Sequence, residues 1–221
     1  MRKVSKKIIS CFMLCALMMS SIMGFAITSN AASVNSSKKT DGTHVYYVSN
    51  ESSLRKALNC VRDGDCIEFT NNIVSSGTLY VSKNITVDLN YHSLRFEYTL
   101  YGLYIQVNSK ATVKNGVIYG ADNSRCAVEV SGNLKLQNMS VFGGNHKSGC
   151  SDWGAYGNGI YVEYAFSKVY MNYCYIQGGN GYKKSSSNDN QSGKAIYTNG
   201  YRGDKIISEG MGYTAVDGIC Q

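Results

Sequence analysis

The feature that most constrains this chain is a set of apolar residues that return at near-constant spacing through its middle. Leu79, Leu103, Cys126, Ile160 and Ile196 fall in one column, and Val81, Ile105, Val128, Val162 and Thr198 fall in a second, two residues later. Phe69, Leu89, Val113, Leu136 and Met171 form a third. Members of the second column lie 24, 23, 34 and 36 residues apart, so each repeat is one short coil and the last two carry extra loop. Repeats of this length are supersecondary units that bury their apolar face only by stacking on a neighbour.

Within each repeat the local period is two. Ile67 and Phe69 flank Glu68, Val87 and Leu89 flank Asp88, Leu134 and Leu136 flank Lys135, and Val169 and Met171 flank Tyr170. Such alternation predicts short strands with one buried face. A second strand follows in each repeat, at His92, Leu94 and Phe96, at Met139 and Val141, and at Cys174 and Ile176. Gly120, Gly143 and Gly178 close three successive repeats, where a positive φ is expected. Ahead of the repeats, His44 to Val48 reads as a strand. Leu54, Ala57, Leu58 and Val61 then fall at helical spacing behind the potential caps Asn50 and Ser52. A helix there would cover the unpaired apolar face of the first repeat.

The chain opens with Arg2, Lys3, Lys6 and Lys7, an apolar run from Ile8 to Ile27, and small residues at Ser29, Ala31 and Ala32. This is the pattern of a secretory signal peptide over residues 1–32, cleaved after Ala31 or Ala32, and it predicts a secreted protein, extracellular or held at the cell surface. About 189 residues would remain, enough for one domain. Residues 33–43 read as a flexible leader, 44–66 as the strand and capping helix, 67–200 as the repeats with long loops at 144–159 and 179–193, and 201–221 as a C-terminal cap or tail.

Of the 22 basic side chains four lie in the signal, leaving 18 against 15 acidic ones, a balance of +3. That is too mild, and too dispersed, for a nucleic-acid binder. Past the signal, no apolar stretch is long enough to span a bilayer. Six cysteines survive processing: Cys60, Cys66, Cys126, Cys150, Cys174 and Cys220. In an exported chain an even count reads as disulfide-capable, with the pairing open, although Cys126 and Cys174 fall in inward columns and read equally as small core residues. Their spacing does not suit zinc, so no metal site is expected.

The stretch from Val48 through Leu54, Ala57 and Leu58 to Gly64-Asp65-Cys66-Ile67, with Ile85-Thr86-Val87-Asp88-Leu89-Asn90 and Ala111-Thr112-Val113-Lys114-Asn115-Gly116, resembles the right-handed parallel β-helix of the pectin-lyase-like superfamily. The resemblance spans roughly residues 45 to 200. It implies an all-β solenoid, a right-handed parallel β-helix of about five to six rungs behind an amphipathic capping helix. It also implies a carbohydrate ligand. The superfamily holds pectate lyases, polygalacturonases, other glycan lyases, phage tailspikes and adhesins, so the fold alone does not select an activity. The Asn-Thr-Asp, Gly-His-Gly and Arg-Ile-Lys segments of polygalacturonases are absent. So is the proline near the arginine base of pectate lyases, because the chain contains no proline.

Candidate chemistry lies on the outward positions. Gln106, Glu129, Glu163 and Asn199 follow the second column, which would make Glu129 and Glu163 adjacent carboxylates on neighbouring rungs, an acid/base pair or a solvated polar ladder. Glu68, Asp88, Thr112, Lys135 and Tyr170 form another outward set, in which Lys135 is a candidate lyase base. Arg95 and Arg125 are candidates for gripping uronate carboxylates. Tyr104, Tyr161 and Tyr197 share one outward position, and Tyr170, Tyr173 and Tyr175 project near the other strand. Eighteen tyrosines against six phenylalanines is a preference for rings with a polar tip, suited to stacking on sugars and equally to packing across strands. Trp153 and Tyr156, in the first long loop, add to the aromatic set. The leading expectation is a secreted, non-catalytic protein that binds a polysaccharide or cell-surface glycan through Tyr104, Tyr161, Tyr197, Trp153 and Tyr156 and takes no cofactor. A polysaccharide lyase or glycoside hydrolase acting on a uronic-acid polymer through Glu129, Glu163 and Lys135 is the rival, and only there would Ca2+ enter. A purely structural surface module is the third reading.

Overall fold

The computed structural model describes residues 34–146, 157–181, 192–199 and 205–218. The signal segment, Trp153, Tyr156, Cys150 and Cys220 lie outside the described residues, as do residues 147–156 and 182–191 of the two long loops. Strands dominate. The first are β1 (Ser36–Lys38), β2 (His44–Val48), β3 (Cys66–Phe69), β4 (Ile73–Ser75), β5 (Leu79–Val81), β6 (Ile85–Asp88), β7 (Ser93–Phe96) and β8 (Tyr101–Ile105). They continue as β9 (Lys110–Tyr119), β10 (Cys126–Val130), β11 (Asn133–Phe142), β12 (Asn158–Val162), β13 (Lys168–Gln177), β14 (Ile196–Thr198), β15 (Ile206–Ser208) and β16 (Tyr213–Val216). One helix, α1 (Glu51–Cys60), stands between β2 and β3.

The strands fall into two sheets that the chain visits by turns. The larger runs β1-β2-β3-β6-β9-β11-β13-β15, with β4, β7 and β16 attached, and a five-stranded sheet runs β14-β12-β10-β8-β5. Apart from the antiparallel β1–β2 pair, every described pairing is parallel. The chain is therefore all-β with parallel sheets. Two segments expected to be irregular take part in pairing: Ser36–Lys38 of the leader joins β2, and β15 and β16 of the tail both extend β13.

The inward columns differ from the sequence alignment by two residues at two places. Leu79, Leu103, Val128, Ile160 and Ile196 are aligned, as are Val81, Ile105, Val130, Val162 and Thr198. Cys126 instead lies level with Tyr101 and Asn158. In the larger sheet Ile67 and Val87, not Phe69 and Leu89, line up with Val113, Leu136 and Met171. The cause is the period of the strand. A slip of two leaves every apolar side chain on the inner face, so hydrophobicity alone cannot detect it. All these aliphatic members except Ile196 are buried, and a buried Val, Leu or Ile contributes roughly 1.5–3 kcal/mol.

Helix α1 closes one end of the core as its period predicts. Asn50 caps it, accepting the Ser53 amide at 2.9 Å while the Ser53 hydroxyl accepts the Asn50 amide at 3.2 Å. Leu54, Ala57 and Val61 are buried. On the outer side Arg55 donates to Glu51 and to the carbonyls of Gly77 and Thr78, clamping the helix to the β4–β5 turn.

Corners have no regular backbone ladder, and short polar side chains replace it. Asp63 accepts the Asn84 amide and Asn84 that of Lys110, both at 2.8 Å. Asp122, Asn145 and Asn158 act alike on Asn145, Asn180 and Lys194. At the bends inside β9 and β11, and in the turn between β6 and β7, the backbone turns left-handed, at Asn115 (φ 57°), Asn138 (51°) and Asn90 (46°), and Asn138 donates to Asn115 at 3.3 Å. Asparagine tolerates this conformation better than other side chains. Gly120, Gly143 and Gly178 do not have a positive φ, contrary to expectation. They are glycine because the corners stack backbone on backbone: a Cβ on Gly143 would collide with the Gly157 carbonyl, and one on Gly178 with the Gly193 carbonyl.

Candidate functional site

On the outer face of the five-stranded sheet, period two places Tyr80, Tyr104, Glu129, Tyr161 and Tyr197 in one ladder across all five strands. Tyr80 and Tyr104 approach at 5.5 Å between centroids, and Tyr161 stacks on Tyr197 at 5.1 Å with an interplanar angle of 11°. Glu129 takes the middle position, between Tyr104 and Tyr161, and separates the two ring pairs. This is the consequence of the two-residue slip at β10: Glu129 lies level with Tyr161, while Glu163, past the end of β12, donates its amide to the Val130 carbonyl and belongs to the next level. The two carboxylates are diagonal neighbours instead of stacked ones.

Arg125, which immediately precedes β10, organises the centre. Its guanidinium lies 3.9 Å from the Tyr161 ring centroid and donates to the Tyr161 hydroxyl, reaches the Tyr101 hydroxyl at 3.3 Å, and faces Glu163 Oε2 at 3.9 Å. Planar, permanently charged and weakly hydrated, a guanidinium suits this role as a lysine would not. Glu163 Oε2 is buried and accepts no hydrogen bond among the described residues.

Glu129 is 3% exposed. Burial is the main force on its carboxyl, raising it from 4.5 to about 7; Arg125 opposes that rise and Glu163 adds to it. Cys126 contributes a weak S–H donor 3.9 Å from Glu129 Oε2. Tyr161, 2% exposed, is also pushed upward, by burial first, with Arg125 opposing and Glu163 reinforcing, so it stays a neutral phenol. The cluster thus holds one fixed cation, one carboxyl poised to gain or lose a proton near neutrality, and two phenols that accept from the cation. Perturbed groups gathered in this way mark a candidate site.

The remaining expected residues are placed elsewhere. Lys135 sits on β11 in the larger sheet, level with Thr112 and Tyr170, and pairs with Glu209 at 2.8 Å. Lys114, not Lys135, is level with Asp88 and bonds to it at 3.0 Å. Lys135 therefore does not converge with Glu129 and Glu163. Arg95 lies over Tyr119 at 4.4 Å, also on the larger sheet. Tyr80, 53% exposed, was missed, although it stands between Leu79 and Val81 of the two recognised columns.

Of the six cysteines expected to be disulfide-capable, the four among the described residues, Cys60, Cys66, Cys126 and Cys174, are free thiols. Cys126 and Cys174 are buried in different sheets, and burial pushes their thiols upward, as it does that of Cys66. Among the described residues no group of three or more His, Cys, Asp and Glu side chains is placed to hold a metal ion, and no helix is long and apolar enough to cross a membrane. No protein-family model, no curated protein and no solved structure matches the chain.

Proposed function

We propose that this chain is an exported right-handed parallel β-helix of the pectin-lyase-like kind that binds a glycan or cell-surface polymer, without turnover, along the outer face of its five-stranded sheet. Two alternating parallel sheets with side-chain ladders at the corners support a coil. Its right-handedness follows the near-universal hand of parallel crossovers. Export rests on the basic and apolar N-terminal pattern.

The observation that carries the binding reading is the tyrosine ladder with Arg125 among its rings. Tyr80 and Tyr104 offer ring faces at one end and Tyr197 at the other, while Tyr161 and Glu129 are buried and act as support. Rungs about 4.8 Å apart present rings at a spacing similar to the repeat of an extended polysaccharide. Arg125 favours a polymer that contains uronic acid. Affinity electrophoresis in gels containing polygalacturonate, alginate or a neutral polysaccharide tests this. Retention by an acidic polymer that falls about tenfold in Tyr80→Ala and Tyr104→Ala is expected, and unchanged retention rules out the site.

One observation favours turnover: Glu129, with its proton balanced near neutrality beside Arg125 and Glu163. In that reading Arg125 would neutralise a uronate carboxylate and Glu129 would move the proton. Ultraviolet absorbance of an unsaturated product from a uronate polymer, lost in Glu129→Gln and Glu163→Ala, would establish it.

A further inference from the structure

Across the molecule from the tyrosine ladder, the bend of the larger sheet forms a groove of about 550 Å3 that the glycan reading above does not use. It lies where β9, β11 and β13 turn at their left-handed residues, and Met211, Tyr213 and their neighbours close one side. Tyr91, Tyr173, Tyr175 and Tyr213 line it, with Asn138 and Ser140 on its floor. Tyr91 is 78% exposed, Tyr173 61% and Tyr213 38%. No charged side chain is among the described residues that line it.

Two of these tyrosines occupy positions where a bulky side chain is unfavourable. Register places Tyr173 level with Asn138, which is level with Asn115. The left-handed bend thus reads Asn, Asn, Tyr along the stack, with Tyr173 at φ 54°. Tyr91 is likewise left-handed, at φ 64°. A large aromatic residue in this region is an outlier that structure alone does not require, because asparagine serves on the adjoining rungs. Tyrosine at position 173 cannot make to Asn138 the kind of side-chain bond that Asn138 makes to Asn115, and it projects an exposed ring into solvent. Tyr175, by contrast, is held: its hydroxyl donates to Gln177 at 3.1 Å and its ring packs on Phe142 at 5.8 Å.

We propose that this groove is a second, independent sugar site, which takes an uncharged oligosaccharide and stacks pyranose faces on Tyr91 and Tyr173. The uncharged lining matches a neutral ligand: a uronate carboxylate would find no cation among the described residues of the groove to offset its desolvation. Tyrosine rings supply apolar area with little rotamer loss, and Asn138, Ser140 and the phenol hydroxyls supply donors and acceptors for sugar hydroxyls.

Isothermal titration with cellohexaose, xylohexaose and mannohexaose, and with hexagalacturonate as the acidic comparator, tests the assignment on the mature chain. At least one neutral hexasaccharide is expected to bind. Tyr173→Asn should weaken it about tenfold and Tyr91→Ala similarly, while retention on acidic polymers is unchanged. Tyr173→Asn keeps the left-handed bend, so melting temperature at or above that of the parent shows that lost binding is not lost folding. Tyr80→Ala should leave the neutral ligand bound, so failure of the ladder site and failure of the groove give different results. Absence of binding by all three neutral hexasaccharides, or binding indifferent to both groove substitutions, overturns the proposal.

Discussion

The five-stranded sheet and the bend of the larger sheet both gather tyrosines, and they do so by opposite means. On the five-stranded sheet the rings stand at ordinary extended positions, where tyrosine has good strand propensity and packs on its neighbours across the ladder. There the departure lies in the electrostatics: a guanidinium and two carboxylates are drawn among the rings, and Glu129 is nearly inaccessible. At the bend the described lining is uncharged and the departure lies in the backbone, with Tyr91 and Tyr173 held left-handed and exposed. A ring that fits its place needs no function to explain it, so the ladder draws its functional argument from Arg125 and Glu129. A ring in an unfavourable conformation draws that argument from its own geometry.

Substitutions can break this contrast, beginning with the largest expected effect. Arg125→Leu removes the cation that faces Glu163 and opposes the rise of Glu129, and should destabilise the protein by about 3 kcal/mol at pH 8, measured by urea unfolding. The loss should shrink at pH 5, where Glu129 carries its proton. A loss independent of pH would mean that Arg125 does not act through the charge on Glu129.

Glu129 itself sets a second test. Its folded-state value of about 7 exceeds the ordinary 4.5, so the folded protein binds the extra proton between those limits. Its contribution is therefore fully present below about pH 4.5 and is lost as pH rises through about 7. Glu129→Gln should flatten the fall in melting temperature over that window and leave the protein more stable than the parent at pH 8. An unchanged slope would show that the carboxyl is better solvated than its burial indicates.

Smaller effects sharpen the comparison. Tyr80→Ala touches an exposed ring and should alter stability by no more than about 0.5 kcal/mol while weakening retention by an acidic polymer. Tyr173→Asn should raise stability by about 1 kcal/mol, because asparagine is better suited to the left-handed bend and extends the ladder from Asn138. A fall in stability instead would mean that the Tyr173 ring supports the fold, and would remove the strain argument for the groove.

Much of the architecture is legible in the sequence. Alternation at Ile67, Val87, Leu134 and Val169 located strands, and Leu54, Ala57 and Val61 located the helix, because apolar periodicity is a direct image of which side chains must leave water. The left-handed asparagines Asn90, Asn115 and Asn138 show in the sequence only as interruptions, since the conformation that these residues adopt is not encoded in hydropathy. Gly120, Gly143 and Gly178 are needed for close approach and not for a positive φ. A close approach between two backbones depends on which corner rests on which, and that is a tertiary fact.

By itself, the sequence determined that the chain alternates, that its repeats stack, and that tyrosines, Arg125 and two glutamates lie on outward positions. Which outward residues are neighbours was decided only by the tertiary structure. A strand shifted by two residues buries the same apolar face, so the hydrophobic energy hardly distinguishes the two registers, yet the shift moves Glu129 away from its expected place beside Glu163 and into the middle of the tyrosine ladder. Register is settled by corner hydrogen bonds, backbone contacts at glycine and the packing of each rung on the next, all of which join residues distant in the chain.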